Sequence, residues 1–156
     1  MSEQGRYKKI VVPLDGSGWA QRAVPHAVEI ARANSAELIL LHVFVPPARE
    51  FADQLALAGQ DAQLDQARGQ MKQYLIGLRS ELRDERLTVR TQMIEGAGVA
   101  YLICDYILNE GVDLVVMSTH GRSGLARFLF GSVANEVMKC VNVPVLLIQP
   151  DKDFPE

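Results

Sequence analysis

Five short apolar runs alternate with four stretches of helical periodicity along the chain, and this alternation limits the folds it can adopt. The runs are KKIVVPLD, ELILLHVFV, LTVRTQMIEG, DLVVM and VPVLLIQP, which begin at Lys8, Glu37, Leu87, Asp113 and Val143. Between them, apolar residues recur three and four positions apart, as on the buried stripe of a helix. Such alternation predicts an α/β fold: an open five-stranded parallel sheet with helices on both faces.

Two polar segments follow the first and fourth predicted strands. DGSGW comes after the first strand, and MSTHGRSGLARFLFGS, from Met117 to Ser132, begins at the end of the fourth. In open α/β sheets, ligands bind beyond the carboxyl ends of the strands, where the strand order reverses. If both segments belong to one site, strands one and four are neighbours. The predicted strand order is then 3-2-1-4-5 in preference to 2-1-3-4-5.

The last predicted strand lies at an edge of such a sheet, although VPVLLI is apolar on both faces and carries no charge. An uncovered apolar edge invites aggregation. We therefore predict a homodimer in which the strand Val143–Ile148 pairs with its copy across a two-fold axis. The alternative is coverage of both faces by helices, with the edge blunted by Pro144.

LTVRTQMIEG alternates apolar and polar residues, which predicts a half-exposed strand at a sheet edge.

Length and composition limit the classes of function. The 156 residues predict a single domain, 1–156, with a core from about 6 to 150. The net charge of −3 argues against a general nucleic-acid binder. No apolar stretch reaches the roughly 18 residues that span a bilayer. The N-terminus shows no signal-peptide core, so we expect a cytoplasmic protein without membrane insertion.

A few other residues suggest chemistry without establishing it. Cys104 and Cys140 fall within helical patterns and form no C-x-x-C pair, so they are interpreted as buried or half-buried free thiols. His42 lies within an apolar strand and is interpreted as a core histidine with satisfied hydrogen bonds. Trp19 follows the DGSG turn. It packs either over the mouth of a site or at an interface, and the sequence leaves both open.

MSTHGRSGLARFLFGS has the chemistry of an anion site. Gly121, Gly124 and Gly131 permit close backbone approaches, and the hydroxyls of Ser123 and Ser132 can donate to phosphate oxygens. Gly131 and Ser132 open a predicted helix, whose free amide groups and dipole favour an anion. The segment lacks the lysine of the common phosphate loop, G-x-x-x-x-G-K-[ST]. A helix cap alone would account for one glycine-serine pair. Three glycines together with the hydroxyls favour an anion site.

In these residues the sequence resembles the universal stress protein family. Nucleotide-binding members carry glycine, two residues, glycine, nine residues, then glycine followed by serine or threonine. Here nine residues separate Gly121 from Gly131-Ser132, but the family's first glycine falls at Ser118. KKIVVPLDGS, LLHV and VPVLLI are also similar to this family, and the resemblance covers essentially the whole chain. It implies a Rossmann-like fold of the adenine nucleotide alpha hydrolase type.

The resemblance also implies a site for ATP, or for ADP or AMP, with or without Mg²⁺. Asp15 would lie beside the ribose or a phosphate-bound cation, which makes it the candidate metal ligand, through the bound nucleotide. Val43 would offer backbone groups to the adenine edge. The other implied nucleotide-binding residues end the first strand or surround the ribose and phosphates: Pro13, Ser118, Thr119, His120, Gly121, Arg122, Ser123, Gly124, Gly131, Ser132, Val133 and Ala134.

Two functions are compatible with these observations. The first is an ATP-binding regulatory module of the stress response. Because the sequence shows no phosphate-loop lysine and no evident base for water, no catalytic residue is assigned and at most slow ATP hydrolysis is expected. The second is a dimeric stress-related interaction protein that binds no nucleotide. The family's members of that kind lack the glycine motif. The glycines Gly121, Gly124 and Gly131 favour the first function, and Ser118 keeps the second open.

Overall fold

A five-stranded parallel sheet in the order β3-β2-β1-β4-β5 forms the centre of the protein. The computed structural model describes residues 5–46, 54–84, 86–120 and 131–149. The order 3-2-1-4-5 predicted from the two polar segments is confirmed. The strands are β1 (Lys9–Pro13), β2 (Glu37–Phe44), β3 (Thr88–Glu95), β4 (Leu114–Ser118) and β5 (Val145–Ile148).

Two longer helices cover each face of the sheet. Successive strand residues point to opposite faces, so both faces offer apolar side chains to helices. On β2, Leu38 and Leu40 belong to one core cluster, together with residues of α2 (Ala23–Asn34) and α3 (Gln54–Glu81). Their neighbours Ile39 and Leu41 belong to the other cluster, with residues of α4 (Val99–Glu110) and α5 (Ser132–Cys140). β2 is therefore apolar on both faces, as a central parallel strand requires.

The first predicted helix is divided in two. A short helix α1 (Gly18–Gln21) precedes α2, and Arg22 lies between them. The Ser17 hydroxyl caps α1 by accepting a hydrogen bond from the Ala20 amide at 3.2 Å. PPAREFADQLALAGQ, from 46 to 60, predicts a long loop that is partly helical. It contains the start of α3 at Gln54, and residues 47–53 lie outside the described residues.

Both edge strands are partly exposed. β3 is half-buried along most of its length, as its alternating sequence predicts. At the other edge, β5 pairs with β4 from Val145 to Ile148, and 38% of Leu146 is exposed. No helix in the described ranges combines the length and the apolar content needed to cross a membrane.

A disulfide joins Cys104 to Cys140, so the prediction of free thiols is wrong. The two Cα atoms lie 6.2 Å apart, although 36 positions separate them in the sequence. Cys104 is on α4 and Cys140 is the last residue of α5. These helices pack side by side on the same face of the sheet. The sequence could not show this pairing, because no short spacing links the cysteines and only the packing of α4 against α5 brings them together.

Removal of this disulfide is expected to destabilise the fold. Closing a loop of 36 residues removes enough chain entropy from the unfolded state to contribute about 4 kcal/mol. Urea unfolding of the oxidised protein, with and without dithiothreitol, should show that loss of free energy of unfolding, and Cys140→Ser should match the reduced protein. Identical unfolding midpoints for the oxidised and reduced protein would contradict this expectation.

Candidate functional site

A cavity of about 670 Å³ opens at the carboxyl ends of β1, β2 and β4. Its volume is in the range of small-molecule sites. Gly121, Arg122, Ser123 and Gly124 lie outside the described residues. Every other residue implied for the nucleotide site lines this one cavity: Pro13, Asp15, Val43, Ser118, Thr119, His120, Gly131, Ser132, Val133 and Ala134.

The start of α5 forms one end of the cavity. Gly131 is the N-cap residue and supplies no side-chain hydrogen bond to the helix, and the first turn contains no acidic residue. The amide groups of Ser132, Val133 and Ala134 have no carbonyl partner within the helix, because they belong to its first turn. Together with the positive end of the helix dipole, these amide groups favour a negatively charged ligand.

Gly131 is required by a close approach between two backbones. Its amide donates to the Thr119 carbonyl, which fixes the start of α5 against the end of β4. A Cβ at position 131 would lie 2.7 Å from that carbonyl oxygen, a distance at which one of the two backbones must shift. The backbone of Gly131 has φ −62° and ψ 157°, values open to any residue. Space, rather than backbone conformation, therefore selects glycine here.

Thr119 joins three elements at this end of the cavity. It is a buried polar residue, 1% exposed. Its amide donates to the Ile148 carbonyl of β5 at 3.0 Å, while its own carbonyl accepts from Gly131. Its hydroxyl lies 2.8 Å from Nδ1 of His120. The last residues of β4 and β5 and the start of α5 are therefore held in one hydrogen-bonded unit.

Ser118 occupies the position of the family's first glycine, and its hydroxyl binds the backbone of its own loop. Ser118 Oγ accepts from the His120 amide at 3.2 Å. Since this bond turns the hydroxyl toward residue 120, the serine helps to shape the loop start. The His120 ring lies 6.2 Å from the Trp19 ring. Trp19 therefore lies next to His120, one of the residues that line the cavity.

A tight turn after β1 positions Asp15. Its Oδ1 accepts from both the amide and the hydroxyl of Ser17. Gly16, between them, has φ +87°, in the left-handed region that glycine adopts readily. The turn sends the chain into α1 and leaves the Asp15 carboxylate at the cavity wall.

Val43 presents its backbone groups at a gap in the sheet. The pairing of β1 with β2 ends at Pro13 and Leu41, and one further bond joins the Leu14 amide to the Leu41 carbonyl. In a parallel strand, every second residue directs its backbone groups to the same side. The amide and carbonyl of Val43 therefore point to the side where β1 has already ended. On this side, no described strand pairs with Val43, and its amide and carbonyl face the cavity.

The helix α3 supplies a wall that the sequence did not reveal. Ala67, Met71 and Tyr74 recur at the helical spacing that is typical of a buried core stripe, yet they line the cavity together with Gln70. The Tyr74 hydroxyl donates to Gln21 Oε1 at 2.9 Å. Burial raises the pKa of Tyr74, and the nearby charge of Asp15 raises it further. No signal in the sequence shows that α3 reaches over the site, because this depends on how α3 packs on β2 and β3.

His42 is a buried histidine that also lines the cavity. Its Nδ1 lies 2.7 Å from the Leu14 carbonyl oxygen. Because a carbonyl only accepts, Nδ1 carries the proton in this bond. The bond ties β2 to the chain just before Asp15. This contact agrees with the interpretation of His42 as a core histidine with satisfied hydrogen bonds. The structure shows in addition that His42 forms part of the cavity wall.

The described part of the site contains no ready-made metal centre. No cluster of three or more His, Cys, Asp or Glu side chains that could hold a metal ion occurs among residues 5–46, 54–84, 86–120 and 131–149. Oxygen ligands from a bound phosphate would have to complete any magnesium site at Asp15.

The chain belongs to the universal stress protein family, whose family model matches residues 6–149. Universal stress protein MJ0531 of Methanocaldococcus jannaschii is 32% identical over 146 residues, which cover 94% of this chain and 84% of that protein. The solved structure of MJ0577, from the same organism, has a TM-score of 0.80 at 28% identity and covers 94% of this chain and 99% of its own. Universal stress protein UspA from Lactobacillus plantarum has a TM-score of 0.74 at 26% identity, with 92% and 99% covered.

Some structures with this fold contain adenine nucleotides. A universal stress protein family protein from Arabidopsis thaliana has AMP bound, with a TM-score of 0.63 at 19% identity and 94% of each chain covered. The universal stress protein from Archaeoglobus fulgidus in complex with dAMP has a TM-score of 0.62 at 22% identity, with 90% and 97% covered. At these identities the likeness is one of fold.

If the cavity binds a nucleotide, substitution of Gly131 by alanine is expected to weaken that binding about tenfold, equivalent to about 1.4 kcal/mol. The added Cβ would press on the Thr119 carbonyl and displace the first turn of α5. Calorimetric titration with ATP measures the effect, and circular dichroism checks the fold. Gly18→Ala is the matched control, because a Cβ there meets nothing within 4 Å. Equal affinities for the two variants would contradict the interpretation of the start of α5 as an anion site.

Proposed function

We propose that the chain binds an adenine nucleotide, as ATP, ADP or AMP and with or without Mg²⁺, and acts as a regulatory module of the stress response. The observation that carries the proposal is the start of α5, where first-turn amide groups without intrahelical partners border a cavity of nucleotide size. The phosphates would bind these amide groups and the Ser132 hydroxyl. Residues 121–124, which the resemblance assigns to the same phosphates, would complete this end.

Adenine would bind at the opposite end of the cavity, beside β2. The Val43 amide and carbonyl offer one donor and one acceptor, which matches the alternating acceptor and donor atoms of the adenine edge. The walls at this end include Leu41, Val99 and Ile103. Apolar walls with a few fixed polar groups are typical of sites for flat, partly apolar ligands. Asp15, held by its turn, would accept from the ribose hydroxyls between the two ends.

The same geometry supports binding more than hydrolysis. Asp15 Oδ1 already accepts two hydrogen bonds from Ser17, and no lysine is among the described residues that line the cavity. We therefore expect at most slow ATP cleavage, driven by positioning and charge stabilisation. Within the cell, such a protein would respond to nucleotide level by changing its partners or assembly. A cytoplasmic location stays a prediction.

We also propose a homodimer through β5. This strand lies at the edge of the sheet. Its exposed residue Leu146 belongs to Val143–Ile148, the segment that the sequence predicts as the interface. Since Thr119 binds the Ile148 carbonyl, the dimer edge and the phosphate end share one hydrogen-bonded unit. In such a dimer, nucleotide binding would therefore affect assembly through this unit.

The direct test is nucleotide release and rebinding. Denatured purified protein is expected to release adenine nucleotide, and the stripped protein is expected to bind ATP with a dissociation constant below about 1 mM. Trp19, the only tryptophan of the chain, lies beside His120 at the cavity. Its fluorescence should therefore change during the titration. Trp19→Phe should lose this signal and keep calorimetric binding. If the protein shows neither nucleotide release nor binding at millimolar ATP, the remaining function is the interaction module that binds no nucleotide.

Leu146→Lys is expected to convert the dimer to a monomer, because it places a charge on the apolar edge of β5. Sedimentation equilibrium gives the mass of each species. Leu108→Lys is the matched control, since Leu108 is an exposed leucine of α4, 62% exposed. ATP binding should persist in both variants, since neither residue lines the cavity. A Leu146→Lys protein that keeps the dimer mass would exclude β5 as the interface.

A further inference from the structure

The disulfide encloses the phosphate end of the candidate site within one covalent loop. The chain between Cys104 and Cys140 contains β4, the residues Ser118 to His120 and the whole of α5. Each of the groups proposed to hold phosphate lies inside this loop. A change at the crosslink therefore acts on the same segment of chain that would bind the ligand.

Both helices that carry the cysteines also form walls of the cavity. Ile103, next to Cys104 on α4, lines the cavity, as do Val133 and Ala134 on α5. Cys140 is at the far end of α5, about 12 Å from Ser132 at a rise of 1.5 Å per residue. The crosslink thus fixes one end of a short helix whose other end is the proposed anion site.

We propose that Cys104 and Cys140 are a reversible thiol–disulfide modification site that sets the affinity of the nucleotide site. This inference rests on the proposed function. The disulfide form holds α5 against α4 and keeps the start of α5 in its binding position. The thiol form lets α5 move relative to α4, so the ligand must order the helix when it binds. Ordering on binding reduces affinity.

The two cysteines differ in exposure, and this difference sets which thiolate reacts first. Cys140 is exposed, whereas Cys104 is 6% exposed. The Cys140 thiolate attacks a low-molecular-weight disulfide such as oxidised glutathione, forms a mixed disulfide and releases one small thiol. The Cys104 thiolate then attacks Cys140 Sγ and releases the second. Two protein thiols are oxidised, and the small disulfide is reduced to two thiols.

Coupling between the two sites is reciprocal. If the disulfide form binds nucleotide more tightly, saturation with nucleotide favours the disulfide over the two thiols by the same factor. We expect a factor of about five or more, the lower end of coupling between distinct sites. The protein would then bind nucleotide most strongly under oxidising conditions.

The experiment compares the thiol and disulfide forms of the full chain. Wild-type protein is treated with dithiothreitol or with oxidised glutathione, freed of reagent, checked by a count of free thiols and titrated with ATP by calorimetry. The disulfide form should bind about fivefold more tightly or better. In a second measurement, the protein is equilibrated in glutathione buffers with and without saturating ATP. The ratio of disulfide to thiol form should rise by the same factor.

Two variants complete the design. Cys140→Ser should bind with the affinity of the wild-type thiol form after either treatment. Lys139→Ser changes the exposed neighbouring residue of α5 and should keep the full response to oxidation.

Each result decides the inference. Equal ATP affinity in the two forms overturns this inference alone and leaves the proposed function standing. A disulfide that the two treatments cannot interconvert also overturns it. Absence of ATP binding in both forms overturns the proposed function and this inference with it.

Discussion

The parallel pairing of β1 with β4 is the contact on which the candidate site depends. Ile10 pairs with Leu114 and Val11 with Val115. From these adjacent strands the chain leaves in opposite directions, since β1 leads to α2 on one face and β4 precedes α5 on the other. The diverging chains leave a crevice between them at the carboxyl edge. The turn that holds Asp15, the backbone of Val43 and the start of α5 all border this crevice.

The end of the cavity proposed to bind phosphate is defined by few contacts. The Thr119 carbonyl accepts from Gly131, the Thr119 amide donates to Ile148, and Ser118 binds the His120 amide. These bonds give the end of β4 one fixed arrangement relative to α5 and β5. At the family's glycine position, the Ser118 hydroxyl therefore bonds within its own loop. In the proposed function, binding and assembly would be coupled through these backbone hydrogen bonds.

Much of the fold and part of the site could be predicted from the sequence. The alternation of apolar runs predicted the parallel sheet. The polar segments after the first and fourth strands predicted its order, because a shared site requires those strands to be neighbours. Asp15 follows β1 closely and the Gly131-Ser132 pair opens α5, so local chemistry made them candidates, and all three residues line the cavity. The wall formed by Met71 and Tyr74 was missed, because the same helical spacing is typical of a buried core stripe.

The sequence by itself determined which residues are apolar, where strands and helices alternate, and which loops carry glycine and hydroxyl groups, because these properties depend on local spacing. Only the tertiary structure decided that Cys104 meets Cys140, that Trp19 packs on His120, and that α3 reaches over the cavity. These contacts join residues far apart in the chain. Their distances are set by how the helices pack on the two faces of the sheet, and this packing depends on all the core side chains together.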